Sequence, residues 1–476
     1  MLLFKKINAM GTGQGGIREM VKIALPIVAS QACYTFMIFT DRLFLSRLGP
    51  EVMNASMGGG LTSFMMITFF LGLTSYTTAL TAQYYGAGLK DKSAMVVTQA
   101  LIVASLAFPF ILLCRPLAHM LFDFVGVGPL QIGPQKLYFN ILLSGVLITL
   151  WRNCFSSFFS GIGRTKVVLM AAFTAMSVNV GLNYVLIFGK FGMPALGIRG
   201  AAYGTIIGSV CALLVLVKAY YNKRNRQEYG ALKAWKFDRG IMKQLLKFGS
   251  PAGVEMFLNL LAFNSMVLIY HSKGIVTATA ATIVFNWDMV AFLPLIGVEI
   301  AVTSLVGRYM GRTRPDIAHR SVMSGIKFGM IYAVVVAFFF VLFPEHLIGF
   351  FKPDVVSDIF MKAAPTAIFM IRLASLYVIV DVLIFIFTGA LRGAGDTFWA
   401  MCYTVILHWV LVPVIFISLR VFELSAEISW MLLVFIFVGS SVFVCLRYRG
   451  GKWRNIKVIH AEEPPVITGD VAQEIA

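Results

Sequence analysis

The chain has 476 residues, 59% of them hydrophobic and 13% charged, with a formal net charge of +18 and a mean hydropathy of +0.83. A soluble domain carries about 25% charged residues, so this composition leaves too little polar surface for water and makes the bilayer the solvent of the outer faces. In a soluble chain, such an excess of basic residues would suggest nucleic acid; here they sit in short loops between apolar runs, the pattern of membrane topology, and no nucleic-acid partner is expected.

The chain begins MLLFKKINAMGTGQGG. This stretch has no apolar core followed by a cleavage site, and residues 1–18 read as a short cytoplasmic segment. A spanning helix needs about 20 mostly apolar residues. Runs of that kind fall at 19–46, 55–82, 95–114, 136–160, 167–188, 200–221, 244–271, 278–306, 322–344, 360–390, 397–419 and 428–446, here called spans 1 to 12. The backbone must satisfy its own hydrogen bonds in lipid, so the spans are helices. Runs such as LLVLVKAY and VVVAFFFVLF lack the alternation of a barrel strand. Only the segment 222–243 and the tail 447–476 are sizeably hydrophilic. The six cysteines lie in or beside apolar runs with no close pair, which gives neither a disulfide framework nor zinc spacing.

Lys and Arg set the orientation. With both termini cytoplasmic, 28 of the 40 fall on the cytoplasmic side, ten on the other, and Arg152 and Arg372 lie within spans. That bias predicts both ends inside and an even number of spans.

The chain also repeats itself. Pro26 in span 1 recurs as Pro251 in span 7, and Gly72…Gln83-Tyr84-Tyr85-Gly86…Asp91 recurs as Gly297…Arg308-Tyr309-Met310-Gly311…Asp316, both at an offset of 225. Gly161-Ile-Gly-Arg-Thr165 matches Gly393-Ala-Gly-Asp-Thr397 at an offset of 232. The matches pair spans 1 with 7, 2 with 8 and 4 with 10. Six spans per copy is even, so the copies enter the membrane from the same side and form a parallel repeat. The fold expected is therefore all-α and integral to the membrane: twelve transmembrane helices in two pseudo-twofold-related six-helix bundles with a central cleft. The division expected is an N-lobe at 19–221, a cytoplasmic linker at 222–243, a C-lobe at 244–446 and a cytoplasmic tail at 447–476.

Four stretches carry a family likeness: Pro26…Asp41…Leu48-Gly49, Ala82-Gln83-Tyr84-Tyr85-Gly86-Ala87-Gly88, Pro194-Ala-Leu-Gly197-Ile-Arg-Gly200, and Gly389-Ala-Leu-Arg392-Gly-Ala-Gly-Asp396-Thr. Together they resemble the multidrug and toxic compound extrusion (MATE) family, from about residue 18 to 446. The resemblance implies efflux of small organic, cationic substrates in exchange for Na⁺ or H⁺, with no cofactor beyond that ion. It also implies a multi-pass protein of the cell (inner) membrane, surrounded by lipid and acting as a monomer.

An ionisable group inside a span costs roughly 2.5–3.5 kcal/mol even on lenient scales, which makes it a functional candidate. Asp41, near the end of span 1, matches the aspartate that the family uses for coupling; beside Arg42 and Arg47 it also reads as an interfacial charge. Asp381 lies deep in span 10 with Tyr377 one turn before it on the same face. The family places a coupling aspartate and tyrosine here, so a transported Na⁺ would sit at Asp381. Glu255 follows Pro251 by four residues, near the carbonyl that the proline frees. One branch of the family has its coupling carboxylate at the position of Asn259 instead; Glu255 and Asn259 share a face, and Glu255, one turn away, would serve in its place for ion coupling. Asn179 and Asn183 share a face of span 5, where another branch has Asn then Asp, and equally read as interhelical hydrogen-bonding groups. Asp288 and Glu299 in span 8 are about three turns apart and line a cavity in this reading. His408 and Trp409 form a weaker candidate pair. Cleft-lining Met and Phe, from 24 and 41 in the chain, would give a soft surface for varied ligands, and aromatic faces beside acids attract organic cations.

A lipid-linked oligosaccharide flippase would favour basic residues within the spans, and the five acids outnumber Arg152 and Arg372. An integral membrane enzyme would need a metal cluster, a phosphate loop or a nucleotide-binding domain, none of which the sequence offers.

Overall fold

The computed structural model describes residues 13–124, 128–352 and 358–459. Most of the predicted 1–18 segment and the tail beyond 459 lie outside the described residues. The described residues are helical and contain no strand. In chain order the first half has α1 (Ile17–Ser46), α2 (Pro50–Ser75), α3 (Thr77–Gly86), α4 (Lys90–Leu113), α5 (Arg115–Phe124), α6 (Pro129–Ser144), α7 (Val146–Gly161), α8 (Thr165–Phe188) and α9 (Ile198–Tyr220). The short α10 (Lys223–Glu228) follows, then α11 (Arg239–Ser272), α12 (Ile275–Gly311), α13 (Pro315–Leu342), α14 (Pro344–Gly349), α15 (Asp358–Ala394), α16 (Thr397–Phe416) and α17 (Ala426–Arg449). Among the described residues, eleven helices are long and apolar enough to cross a membrane, counting α2 and α3 as one; α6 and α7, bent by 46° at Gly145, make the twelfth as a single broken span. Each predicted span coincides with one of these.

The repeat is visible in packing. Within the first half α1 packs on α8 and α2 on α6; within the second, α11 packs on α16 and α12 on α15. Between the halves α2 packs on α11, and α1 and α3 pack on α12, so span 1 meets span 8 as span 7 meets span 2. Turn geometry repeats too. Gly49 and Gly274, 225 apart, both have φ of 126° and start the second span of each half. Gly163 and Gly395, 232 apart, sit at φ 76° and 98°, which explains the glycine shared by the two Gly-x-Gly motifs.

Glycine also sets the seam between the halves. A Cβ on Gly72 would meet the backbone of Ala252 and Gly253 on α11, and one on Gly297 would meet the backbone of Val28 on α1. Gly86 lies against the backbone of Arg308, and its repeat partner Gly311 against the backbone of Gln83. Hydrogen bonds follow the same symmetry. The Tyr84 hydroxyl donates to Gln244 Oε1 at 2.6 Å, and Tyr309, 225 positions on, donates to Glu19 Oε2 at 2.7 Å. Arg308 adds an ion pair to Glu19 at 3.3 Å. Gln83 Nε2 reaches the Gly393 carbonyl at 2.8 Å, and Ser304 Oγ the Ser160 carbonyl at 2.7 Å. Among the described residues, the hydrogen bonds joining the halves lie toward the end where α1 and α11 begin, so the lobes are shut there.

The basic segment after α9 is strapped to the first half. Thr98 donates to the Ala234 carbonyl at 2.9 Å, Gln99 Nε2 to the Lys236 carbonyl at 2.7 Å, and the Asp238 amide to Gln99 Oε1 at 3.3 Å. Asp238 also caps α11, accepting from the Ile241 amide at 2.9 Å. Glu228 holds the other end, with Lys90 at 3.1 Å, Arg164 at 3.0 Å and Arg224 at 3.1 Å. Partial burial raises its proton affinity, but these cations outweigh that and hold its carboxyl below the usual range.

Candidate functional site

Three polar clusters lie within the spans. The first is in the N-terminal half. Gly204 and Gly208 on α9 give room for Asn183 and Asn179 on α8, so the two helices approach closely. Both asparagines are 0% exposed. Asn183 Nδ2 donates to Asp41 Oδ1 and more weakly to Asn179 Oδ1 at 3.4 Å. Asn179 Nδ2 donates to Thr205 Oγ1 at 3.2 Å, and that hydroxyl lies 3.5 Å from Asp41 Oδ2. Asp41 therefore bonds into the bundle, where Asn183 holds it, and among the described residues it makes no ion pair with Arg42 or Arg47. Seven residues before it, Tyr34 accepts from Arg152, whose guanidinium lies 4.8 Å from the Tyr34 ring centre.

The second cluster is in the C-terminal half. Tyr377 on α15 donates its hydroxyl to Asp288 Oδ1 on α12 at 2.8 Å. Its ring is set by Trp430 and Phe437 of α17, with centroids at 6.3 and 5.8 Å. Asp381, one turn further along α15, is buried and within electrostatic reach of Asp288. Neither aspartate has an ion pair among the described residues. The tyrosine expected beside Asp381 thus bridges to Asp288, a link between two helices that periodicity does not reveal.

The third cluster centres on Arg392. Its guanidinium pairs with Glu255 of α11 at 2.6 Å and with Glu299 of α12. Thr404 of α16 also donates to Glu255 at 2.6 Å. Glu255 therefore meets neither Asp381 nor Asn259 by hydrogen bond, and Asn259 Oδ1 has no partner. His408 donates from Nδ1 to the Thr404 carbonyl at 2.7 Å and is not stacked on Trp409. Asp288 and Glu299, expected on one face, both face α15 but serve different clusters.

Three contributors escape a reading of the sequence alone. Thr205 and Thr404 look like ordinary helix threonines. Arg392 falls beyond the expected end of span 10 at 390, among loop cations, whereas α15 continues to Ala394. Its place in the Gly-Ala-Leu-Arg motif was the available signal. Among the described residues no group of three or more His, Cys, Asp or Glu side chains is arranged to hold a metal ion.

The MatE family model matches residues 26–185 and 251–417. The chain belongs to this family. It is 26% identical over 455 residues to the probable multidrug resistance protein NorM of Thermotoga maritima, covering 94% of this chain and 95% of the relative. It is 27% identical over 450 residues to the multidrug resistance protein PmpM of Pseudomonas aeruginosa, covering 93% of each. Among solved structures, a MATE transporter of the MOP superfamily in an outward-facing conformation superposes with a TM-score of 0.84 at 20% identity, over 93% of this chain and 98% of that one. A MOP superfamily transporter from Pyrococcus furiosus, described as having a binding pocket of reversed polarity, superposes at 0.85 over the same shares, also at 20% identity. The protein is thus a multi-pass membrane transporter of the MATE multidrug efflux family and not an enzyme, and its substrates are small molecules.

Proposed function

We propose that this transporter exports organic cations in exchange for Na⁺ or H⁺, by alternating access of its two lobes. The observation that carries this reading is the Asp288–Tyr377–Asp381 cluster: two carboxylates and a phenol inside the membrane with no basic partner among the described residues. Such acids are costly in apolar surroundings unless a cation or proton joins them. Asp381 and Tyr377 bind the coupling cation with Asp288, and Asp41 with Asn179 and Asn183 forms a second exchange point in the N-lobe. A substrate shifts the balance between lobe arrangements only through its differential affinity for them. Asn259 and the acids of the Arg392 cluster complete the polar surroundings.

The lobes are residues 19–221 and 244–446, joined by a cytoplasmic linker at 222–243 and followed by a cytoplasmic tail at 447–476. The protein works as a monomer in the inner membrane with both termini in the cytoplasm. The test is ion flux in proteoliposomes on adding tetraphenylphosphonium, with a Na⁺ gradient and a pH gradient imposed separately. Substrate movement driven by either gradient supports the reading; substrate movement indifferent to both overturns it.

A further inference from the structure

The Arg392 cluster has an uneven charge count. Two carboxylates, Glu255 and Glu299, face one guanidinium, which leaves a negative charge unbalanced inside the membrane. Arg392 and Thr404 both contact Glu255 through Oε1. Glu255 Oε2 is buried and has no partner, on a side chain whose residue is 2% exposed. A bare, desolvated carboxylate oxygen is among the most expensive groups to leave unmatched. The neighbouring acceptor, Asn259 Oδ1, lies one turn along α11 and is likewise unpartnered.

The repeat shows that this charge is particular to one half. At the offsets of 225 and 232, Glu255, Glu299 and Arg392 correspond to Ser30, Thr74 and Ser160. The N-terminal half thus builds the same place from hydroxyls. The cluster's position is also telling. Gly253 and Gly297, whose missing side chains allow the lobes to touch at Phe69 and Val28, each lie two residues before one of the glutamates. Whatever binds between Glu255 and Glu299 therefore acts directly behind the seam.

We propose that Glu255, Glu299 and Arg392 form a second small-cation site in the C-terminal half, seated on the free oxygen of Glu255 and separate from the Asp381 cluster. Arg392 serves as a fixed counter-ion that holds both acids yet neutralises only one. The remaining charge takes a proton or Na⁺. The groups facing Glu255 are Arg392 from α15, Glu299 from α12, and Thr404 and His408 from α16; α2, across the seam, presents the Phe69 backbone to the neighbouring Gly253. This inference rests on the cation-coupled reading above, but its test does not require transport.

The experiment uses the purified full-length chain carrying Asp41→Asn, Asp288→Asn and Asp381→Asn, which removes the carboxylates of the other two exchange points. Thermal unfolding is followed against NaCl, with choline chloride as the ionic-strength control, and against pH. A ligand that binds only the folded state raises the melting temperature with its concentration. We expect this background to keep a rise with Na⁺ over choline, or a stabilisation on acidification, and expect that dependence to vanish on adding Glu255→Gln. Glu299→Gln should remove it equally, because either change cancels the unbalanced charge while leaving Arg392 one partner; this second variant stands in if the first fails to fold. A Na⁺ response marks a sodium site and a pH response alone marks a proton site. A background with neither response, or a response that survives both Gln variants, overturns the proposal. Failure of the flux assay with these responses intact would instead overturn the transport reading.

Discussion

At the scale of single residues, what distinguishes the buried acids is how each is partnered. Asp41 accepts from an asparagine and lies near a threonine, Asp288 accepts from a tyrosine, and Glu255 and Glu299 share an arginine. Asp381 has an acid as its charged neighbour. A buried carboxylate without a cation is the group whose occupancy a coupling ion changes most. We therefore expect Asp381→Asn, which keeps size and hydrogen bonding, to abolish gradient-driven substrate movement in proteoliposomes while the protein still folds and inserts. Asp41→Asn should impair transport strongly. Wild-type rates in the Asp381 variant would move the coupling assignment to the N-lobe acid.

At the scale of helices and turns, the two copies of the repeat use the same backbone with unequal side chains. Gly88 has φ of 80° with nothing within 4 Å of a would-be Cβ, and its partner 225 positions on is Thr313, held at φ 56°. A β-branched residue in the left-handed region is strained by about 1–2 kcal/mol. We expect Thr313→Gly to raise, and Gly88→Ala to lower, stability by about 1 kcal/mol each, with melting temperatures moving in opposite directions. The strap at 222–238 makes a second prediction. Glu228 has its folded-state proton affinity lowered by Lys90, Arg224 and Arg164 against the opposing effect of burial. The stability it lends is present above the ordinary glutamate value of 4.5 and is lost as the pH falls through its lower folded value. Protease cleavage within the strap should rise over that acidic range, and Glu228→Gln should cleave readily at neutral pH with the acid-dependent increase gone.

At the scale of the whole molecule, the seam decides which side is shut. The Tyr84–Gln244 contact is neutral, while its counterpart joins Glu19 to both Tyr309 and Arg308. Opening this end must break both. Glu19→Gln weakens the charged contact and should increase the reactivity of a cysteine at Ala79, which packs in the seam, toward a small thiol reagent; unchanged reactivity would show that the pair does not hold the seam. The orientation has its own check. A cysteine placed in the exposed part of the 222–238 strap should be blocked in intact cells only by permeant reagents, and labelling by an impermeant one would reverse the assigned topology.

The sequence by itself determined the spans, the duplication and the family, because each rests on signals that are local or strictly periodic: runs long enough to cross a bilayer, prolines and glycines at a constant offset, and glycines needed by particular turns. It also marked the acids, since charge in an apolar run stands out without any structure. The partners were decided by the tertiary structure. Tyr377 lies on the face of Asp381 yet spends its hydroxyl on Asp288, and Glu255 turns to an arginine 137 residues away. Such pairings depend on which helices the packing brings together, and helical periodicity fixes the face of a residue without fixing what lies opposite. Arg392 shows the same limit: α15 runs on past 390 to Ala394 and turns a loop cation into the hub of a buried cluster, and only the packing of α12 against α15 and of α11 against α16 brings its partners to it.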